Sequence, residues 1–81
     1  MRVKVRLFGA PREALGKREI QQDLPSGSTV QDLMDLLMEE YPALRSHSSM
    51  IRMALNRKYV LLEAQLREGD EVAFIPPVGG G

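Results

Sequence analysis

Ser28-Thr29-Val30-Gln31-Asp32-Leu33-Met34-Asp35-Leu36-Leu37-Met38-Glu39-Glu40-Tyr41-Pro42 reads as one amphipathic α-helix with both ends marked. Val30, Leu33, Met34, Leu37, Met38 and Tyr41 fall at i, i+3, i+4, i+7, i+8 and i+11, which draws an apolar stripe down one helix face. The start is written twice, since Ser28 with Gln31 and Thr29 with Asp32 each form a capping-box pattern. Pro42 ends it, because the residue before a proline is pushed out of helical geometry.

Outward from this helix, the period changes from 3.6 to 2. Toward the N-terminus, Val3, Val5 and Leu7 alternate with Arg2, Lys4, Arg6 and Phe8, a strand with one face on a core and Phe8 as an aromatic on the charged face. Pro11 to Leu15 makes a short helical turn with Gly16 as its C-terminal cap. A second strand runs from about Arg18 to Leu24, with Ile20 and Leu24 on one side, and stops at the turn Pro25-Ser26-Gly27. Beyond the helix, a polar stretch from Arg45 to Ser49 leads to a third strand in which Ile51, Met53 and Leu55 alternate. Asn56-Arg57-Lys58 reads as a turn, Tyr59 to Leu62 as a short fourth strand, and Leu66 to Asp70 as a further turn. Glu71 to Ile75 is the last strand, with Val72 and Phe74 inward and Ala73 and Ile75 outward.

The order β-β-α-β-β-β places one main helix against four or five strands. One helix covers only one face of such a sheet, so the expected fold class is an α+β roll whose other face is open to water or a partner. Residues 1–75 form the expected single domain and 76–81 an extended tail.

Composition narrows what this domain does. The 81 residues include 11 basic and 11 acidic side chains, and the zero net charge lacks the footprint of a nucleic-acid binder. The absence of cysteine removes disulfides, thiolate nucleophiles and cysteine zinc sites, and a single histidine, His47, cannot build a multi-histidine metal centre. His47 and its serine neighbours Ser46, Ser48 and Ser49 have no nucleophile-elbow frame, and Met34, Met38 and Met53 sit at core spacing. The N-terminus has no signal-peptide pattern, and no apolar run approaches the roughly 18 residues of a membrane span. A cytoplasmic, soluble protein without a catalytic pocket of its own is the expectation.

The chemistry lies in the last residues, Pro76-Pro77-Val78-Gly79-Gly80-Gly81. At an average glycine use of about 7%, a terminal glycine pair arises by chance in roughly one chain in 200. Two prolines stiffen the exit from the last strand, and six extended residues reach about 20 Å at most. After Val78 the tail has no Cβ atoms, so its end threads a narrow tunnel and leaves its terminal carbonyl unhindered. Its carboxyl, with an ordinary pKa of about 3.3–3.7, is ionised at neutral pH and can attack the α-phosphate of ATP held by another protein. The acyl-adenylate so formed accepts sulfur or an amine.

With these residues in view, the sequence resembles the MoaD family of β-grasp (ubiquitin-like) sulfur carriers, the MoaD/ThiS type. The stretches that carry the likeness are Val3 to Ala10 with Arg12, Glu13 and Gly16; Thr29-Val30 with Leu33 and Leu37; Ala54-Leu55-Asn56; and, most specific, Gly69-Asp70-Glu71-Val72-Ala73-Phe74-Ile75-Pro76-Pro77-Val78 before the glycines. Together they cover essentially the whole chain. The resemblance implies a non-catalytic sulfur-donor subunit of molybdopterin synthase, acting in molybdenum cofactor biosynthesis. It implies that Gly81, with Gly80 as its obligatory neighbour, is adenylated by a ubiquitin-activating-like enzyme using ATP. A sulfurtransferase then supplies the sulfur of a C-terminal thiocarboxylate, which is donated to precursor Z for the dithiolene of molybdopterin. No bound cofactor is implied. The partners implied are the synthase large subunit, in a heterotetramer with two copies of each chain, the adenylyltransferase and the sulfurtransferase, with no nucleic acid or membrane. Pro76, Pro77, Val78 and Gly79 would enter the large subunit with the terminal glycines. Gly79 departs from the family, in which this position often carries a side chain.

The family also implies partner docking through an apolar patch on the open sheet face. Strand alternation already puts Phe8 and Ile75 on that face, and a β-grasp sheet sets its first and last strands side by side and parallel, making the two neighbours beside the tail. Tyr59 joins them by resemblance, in place of the usual aliphatic residue, and Arg12 is a further partner-contact candidate by resemblance. Arg2, Lys4 and Arg6 form a basic strand face that either steers an acidic partner or is simply solvated. Other functions of the same terminus are sulfur carriage for thiamine or tRNA thiolation, and a ubiquitin-like protein modifier whose Gly81 forms isopeptide bonds. A non-covalent β-grasp adaptor would have no use for the glycines.

Overall fold

The strand β1, Arg2–Leu7, alternates as its sequence does, with Val3, Val5 and Leu7 buried and Arg2 and Arg6 in water. Phe8 keeps extended backbone (φ −133°, ψ 155°) and so continues the outward row of β1 past the strand's end, where it stands at the N-cap of the next helix. The computed structural model describes residues 1–75, and for residues 47–50 the backbone path alone. Helix α1, Gly9–Leu15, begins earlier than the expected Pro11 and ends at Gly16. That glycine adopts φ 66°, a left-handed conformation that other residues enter only against a Cβ clash, and its amide donates to the Arg12 carbonyl. The strand β2, Glu19–Asp23, returns antiparallel to β1 with Ile20 opposite Val5.

Helix α2, Val30–Glu40, takes Thr29 and not Ser28 as its N-cap. Thr29 Oγ1 accepts from the Asp32 amide at 3.2 Å, and Asp32 Oδ2 accepts from the Thr29 amide at 2.9 Å, so both arms of the box are made. Ser28 belongs to the preceding turn, where its hydroxyl donates to the Pro25 carbonyl at 2.8 Å. Val30, Leu33, Met34 and Leu37 are the buried stripe, while Met38 and Tyr41 are half-buried at its lower edge. The polar stretch after the helix is not a loop. Pro42–Met50 is a 3-10 helix that drives Leu44 into the core. Arg45 Nε donates to the Met38 carbonyl at 3.1 Å, satisfying an acceptor that the end of α2 leaves without an intrahelical partner.

The strands β3, Arg52–Leu55, β4, Lys58–Tyr59, and β5, Glu71–Ile75, complete a five-stranded mixed sheet in the order β2-β1-β5-β3-β4. β5 runs parallel to β1 and antiparallel to β3. The inner-face residues Val3, Val5, Leu7, Ile20, Val72 and Phe74 share one core with the α2 stripe, Leu44 and Leu66. This is the α+β, β-grasp arrangement the sequence led us to expect.

One reading is corrected. The sequence predicts a fourth strand over Tyr59 to Leu62, but β4 ends at Tyr59. Val60, Leu62 and Ala64 do alternate toward the core, yet the chain has left the sheet. Its carbonyls serve the helix instead: the amides of Val30 and Gln31, in the first turn of α2, donate to Ala64 and Leu62, each at 2.9 Å. Leu66, just before the turn at Glu68 and Gly69, is 3% exposed and closes the core beneath this crossing.

Candidate functional site

The open sheet face is built from the residues that alternation turns away from the core. Along β1 these are Arg2, Lys4 and Arg6, and along β5 Glu71, Ala73 and Ile75. The ladders align them into rows. Arg6 stands opposite Ala73, Ala73 opposite Ala54, and Ala54 opposite Tyr59, a row crossing four strands. Two methyl side chains in the middle of that row leave a depression, because their neighbours on either side are an arginine and a tyrosine. The result is a shallow hollow of about 300 Å³ lined by Arg6, Phe8, Ala54, Arg57, Tyr59, Glu71, Ala73 and Ile75.

Phe8 and Ile75 form its end wall. The parallel register pairs Leu7 with Phe74, so the next residue of each strand lies level with the other. Tyr59, projecting from the β3–β4 hairpin, is the side wall. Phe8 is 40% exposed and Tyr59 64%, and both are among the large hydrophobic residues that the described surface leaves in water. The structure therefore brings Phe8, Tyr59 and Ile75 together, as the sequence led us to expect. Arg12 is exposed on α1 and does not line the hollow. Pro76, Pro77, Val78, Gly79, Gly80 and Gly81 lie outside the described residues.

The other end of the hollow is charged. The hairpin that carries Tyr59 turns on Asn56 and Arg57, at φ 49° and 73°, the positive-φ signature of the tight turn favoured between antiparallel strands. Asn56 Oδ1 accepts from the Glu71 amide at 3.0 Å and Asn56 Nδ2 donates to Asp70 Oδ1 at 3.1 Å, which ties the hairpin to the start of β5. The Arg6 guanidinium carbon lies 5.9 Å from the centre of the Phe8 ring, a cation–π contact across the apolar end. Of the basic row on β1, Arg2 is bound to Asp23, Nε to Oδ1 at 2.8 Å. That hydrogen bond, with the charge of Arg2 behind it, holds the Asp23 carboxyl below its ordinary pKa.

Two features escaped the sequence reading. In the sequence Arg57 reads only as part of a turn. Leu61 is 78% exposed, beside a groove of about 600 Å³ lined by Met34, Ile51, Met53, Tyr59, Val60 and Leu62 among others. The alternation that turns Val60 and Leu62 inward would have placed Leu61 outside. Tyr59 borders both depressions. Among the described residues no group of three or more His, Asp or Glu side chains is gathered to hold a metal, and no helix is long and apolar enough to cross a membrane. What the open face offers is apolar contact and guanidinium N–H groups, which is the chemistry of docking.

Known proteins match this chain along its length. The model of the ThiS family matches residues 5–81. A molybdopterin synthase sulfur carrier subunit of Mycobacterium tuberculosis is 42% identical, covering 100% of this chain and 99% of that protein. A crystal structure of small archaeal modifier protein 1 of Haloferax volcanii superposes with a TM-score of 0.88 at 29% identity, covering 95% of this chain and 98% of that one. A chain from the complex of subunits 1 and 2 of the molybdopterin-converting factor of Helicobacter pylori does so with a TM-score of 0.76 at 27% identity, covering 100% of both. By its sequence from strand β1 to the final glycine, this chain belongs to the ThiS family.

Proposed function

We propose that this protein is the sulfur carrier subunit of molybdopterin synthase. The observation that carries the reading is the match that runs from β1 through Gly81, together with full-length relatives that bear that name. In this reading the Gly81 carboxylate attacks the α-phosphate of ATP on a ubiquitin-activating-like enzyme and releases pyrophosphate. A sulfur nucleophile, delivered by a sulfurtransferase, then displaces AMP. The thiocarboxylate travels on the tail 76–81 into the large subunit and gives its sulfur to precursor Z. The chain performs no catalysis itself and works in the cytoplasm, where ATP and its activating enzyme are found. Docking uses Phe8, Tyr59 and Ile75, and the pairing of subunits 1 and 2 in the Helicobacter pylori complex supports a large-subunit partner. We place two copies of this chain on a dimer of large subunits.

The test is the intact mass of the untagged protein after incubation with activating enzyme, ATP and a sulfur source. The expected gain corresponds to one oxygen replaced by sulfur, and it disappears when Gly81 is deleted while the domain still folds. The likeness to a small archaeal modifier protein favours a second reading, a protein modifier, because both chemistries pass through the same acyl-adenylate. A lysine-linked adduct in place of the sulfur exchange would select it.

A further inference from the structure

The hollow on the open sheet face carries two arginines that make no ion pair among the described residues. Arg6 lies in cation–π range of Phe8, its guanidinium carbon 5.9 Å from the ring centre, and Arg57 reaches the hollow from the hairpin turn. Among the described residues neither guanidinium has an ion-pair or hydrogen-bond partner, although Glu71 lines the same hollow and Glu19 stands opposite Arg6 in the β1–β2 ladder. Glu71 in turn faces Lys4 across the β1–β5 ladder, so one carboxylate sits among three cations.

The backbone makes Arg57 the more telling of the two. At φ 73° it occupies the second turn position, which a hairpin of this length gives preferentially to glycine. A side chain there is disfavoured, and among the described residues its charged end has no ion-pair or hydrogen-bond partner. The chain's zero net charge also hides a segregation. Helix α2 carries Asp32, Asp35, Glu39 and Glu40 and no basic residue, and it packs on the opposite face of the sheet from Arg6 and Arg57. An acidic approaching surface is therefore turned toward the sheet face and away from the helix.

We infer that Arg6 and Arg57 are specificity residues that bind carboxylates of the large subunit, set beside an apolar group that rests on the Ala54–Ala73 floor. The inference rests on the sulfur-carrier reading for the identity of the partner. The arginine fork suits the task, since it offers paired N–H donors to a carboxylate while its charge stays within cation–π range of the Phe8 ring.

The experiment is titration calorimetry of the full chain against its cognate large subunit at low and high salt, with a melting curve for every variant. Arg57→Gly is expected to melt no lower than wild type, because it relieves the backbone, and yet to bind about fivefold more weakly. Arg6→Gln is expected to lose a similar factor, Arg6→Lys to regain part of it, and the double variant to flatten the salt dependence of binding. Phe8→Ala is expected to weaken binding while leaving that salt dependence in place. If Phe8→Ala weakens the complex but the double arginine variant binds like wild type with the same salt response, the arginine inference is overturned and the functional reading survives. If wild type fails to bind the large subunit at all, the functional reading falls, and the inference with it.

Discussion

Asn56 and Glu71 are bonded reciprocally: the Asn56 amide donates to the Glu71 carbonyl at 2.8 Å, and the Glu71 amide donates to Asn56 Oδ1 at 3.0 Å. This pair pins the β3–β4 hairpin to the first residue of β5, and so sets the distance between the Tyr59 wall and the Ile75 wall of the hollow. Asn56 is also suited to its φ of 49°, which asparagine tolerates better than most residues. Asn56→Ala is expected to destabilise the fold by about 1–3 kcal/mol, the penalty for an unsatisfied Glu71 amide and a strained turn. Asn56→Gly separates the two causes, since it keeps the backbone conformation and loses only the side-chain bonds. Thermal unfolding of both variants decides this; equal melting temperatures for wild type and Asn56→Ala would show that the side-chain bonds contribute nothing.

The capping box of α2 gives a second expectation. Thr29→Ala removes the acceptor for the Asp32 amide and should lower stability by about 1 kcal/mol, or about 4–8 °C in melting temperature for a domain of this size. Ser28→Ala tests the alternative cap directly. Its hydroxyl bonds to Pro25 rather than to a helix amide, so helix fraying, followed by amide exchange in the first turn, should increase for Thr29→Ala and not for Ser28→Ala.

Phe74 stands opposite Leu7 in the β1–β5 pair, one residue out of step with Phe8, so the two rings lie on opposite faces of the sheet. Phe74 is 0% exposed, and Phe74→Ala should destabilise by about 3–5 kcal/mol through the cavity it leaves. Phe8→Ala should change folding stability by less than about 1 kcal/mol and instead weaken the large-subunit complex by about 2 kcal/mol or more, roughly 30-fold in Kd. Chemical denaturation and a binding titration on the same samples measure both, and a Phe8→Ala protein that unfolds early would move this ring from the docking face into the core.

The Arg2–Asp23 pair has a definite pH signature. Its hydrogen bond and charge lower the folded-state pKa of Asp23, so its stabilisation is complete above the unfolded carboxyl value of about 3.9 and is lost as pH falls through the lower folded value. Both side chains are exposed, which keeps the effect small and sensitive to salt. Comparing Asp23→Asn with wild type should therefore show a gap in stability that is constant from neutral pH to about pH 4, closes below it, and narrows in high salt. A gap that persists in strong acid would mean that Asp23 acts through packing rather than through its charge.

Much of this was legible in the sequence because it is local. Apolar spacing, a capping box and Pro42 define α2, and alternation alone turns Phe8 and Ile75 outward in β1 and β5. The segment from Val60 to Leu66 was misread for an equally physical reason: inward alternation says which side chains seek the core, not whether the backbone bonds go to a strand or to the end of a helix.

Only the tertiary structure decided the rest. Placing β5 between β1 and β3 sets Ala73 beside Ala54 and turns two methyl groups into the floor of the hollow. It also carries Arg57 from a hairpin tip to that hollow's rim, where no local pattern would have put it. Periodicity along a chain records which way each side chain must point to bury apolar surface. Which residues then stand opposite one another depends on pairings between distant strands, and those are selected by the packing of the whole core.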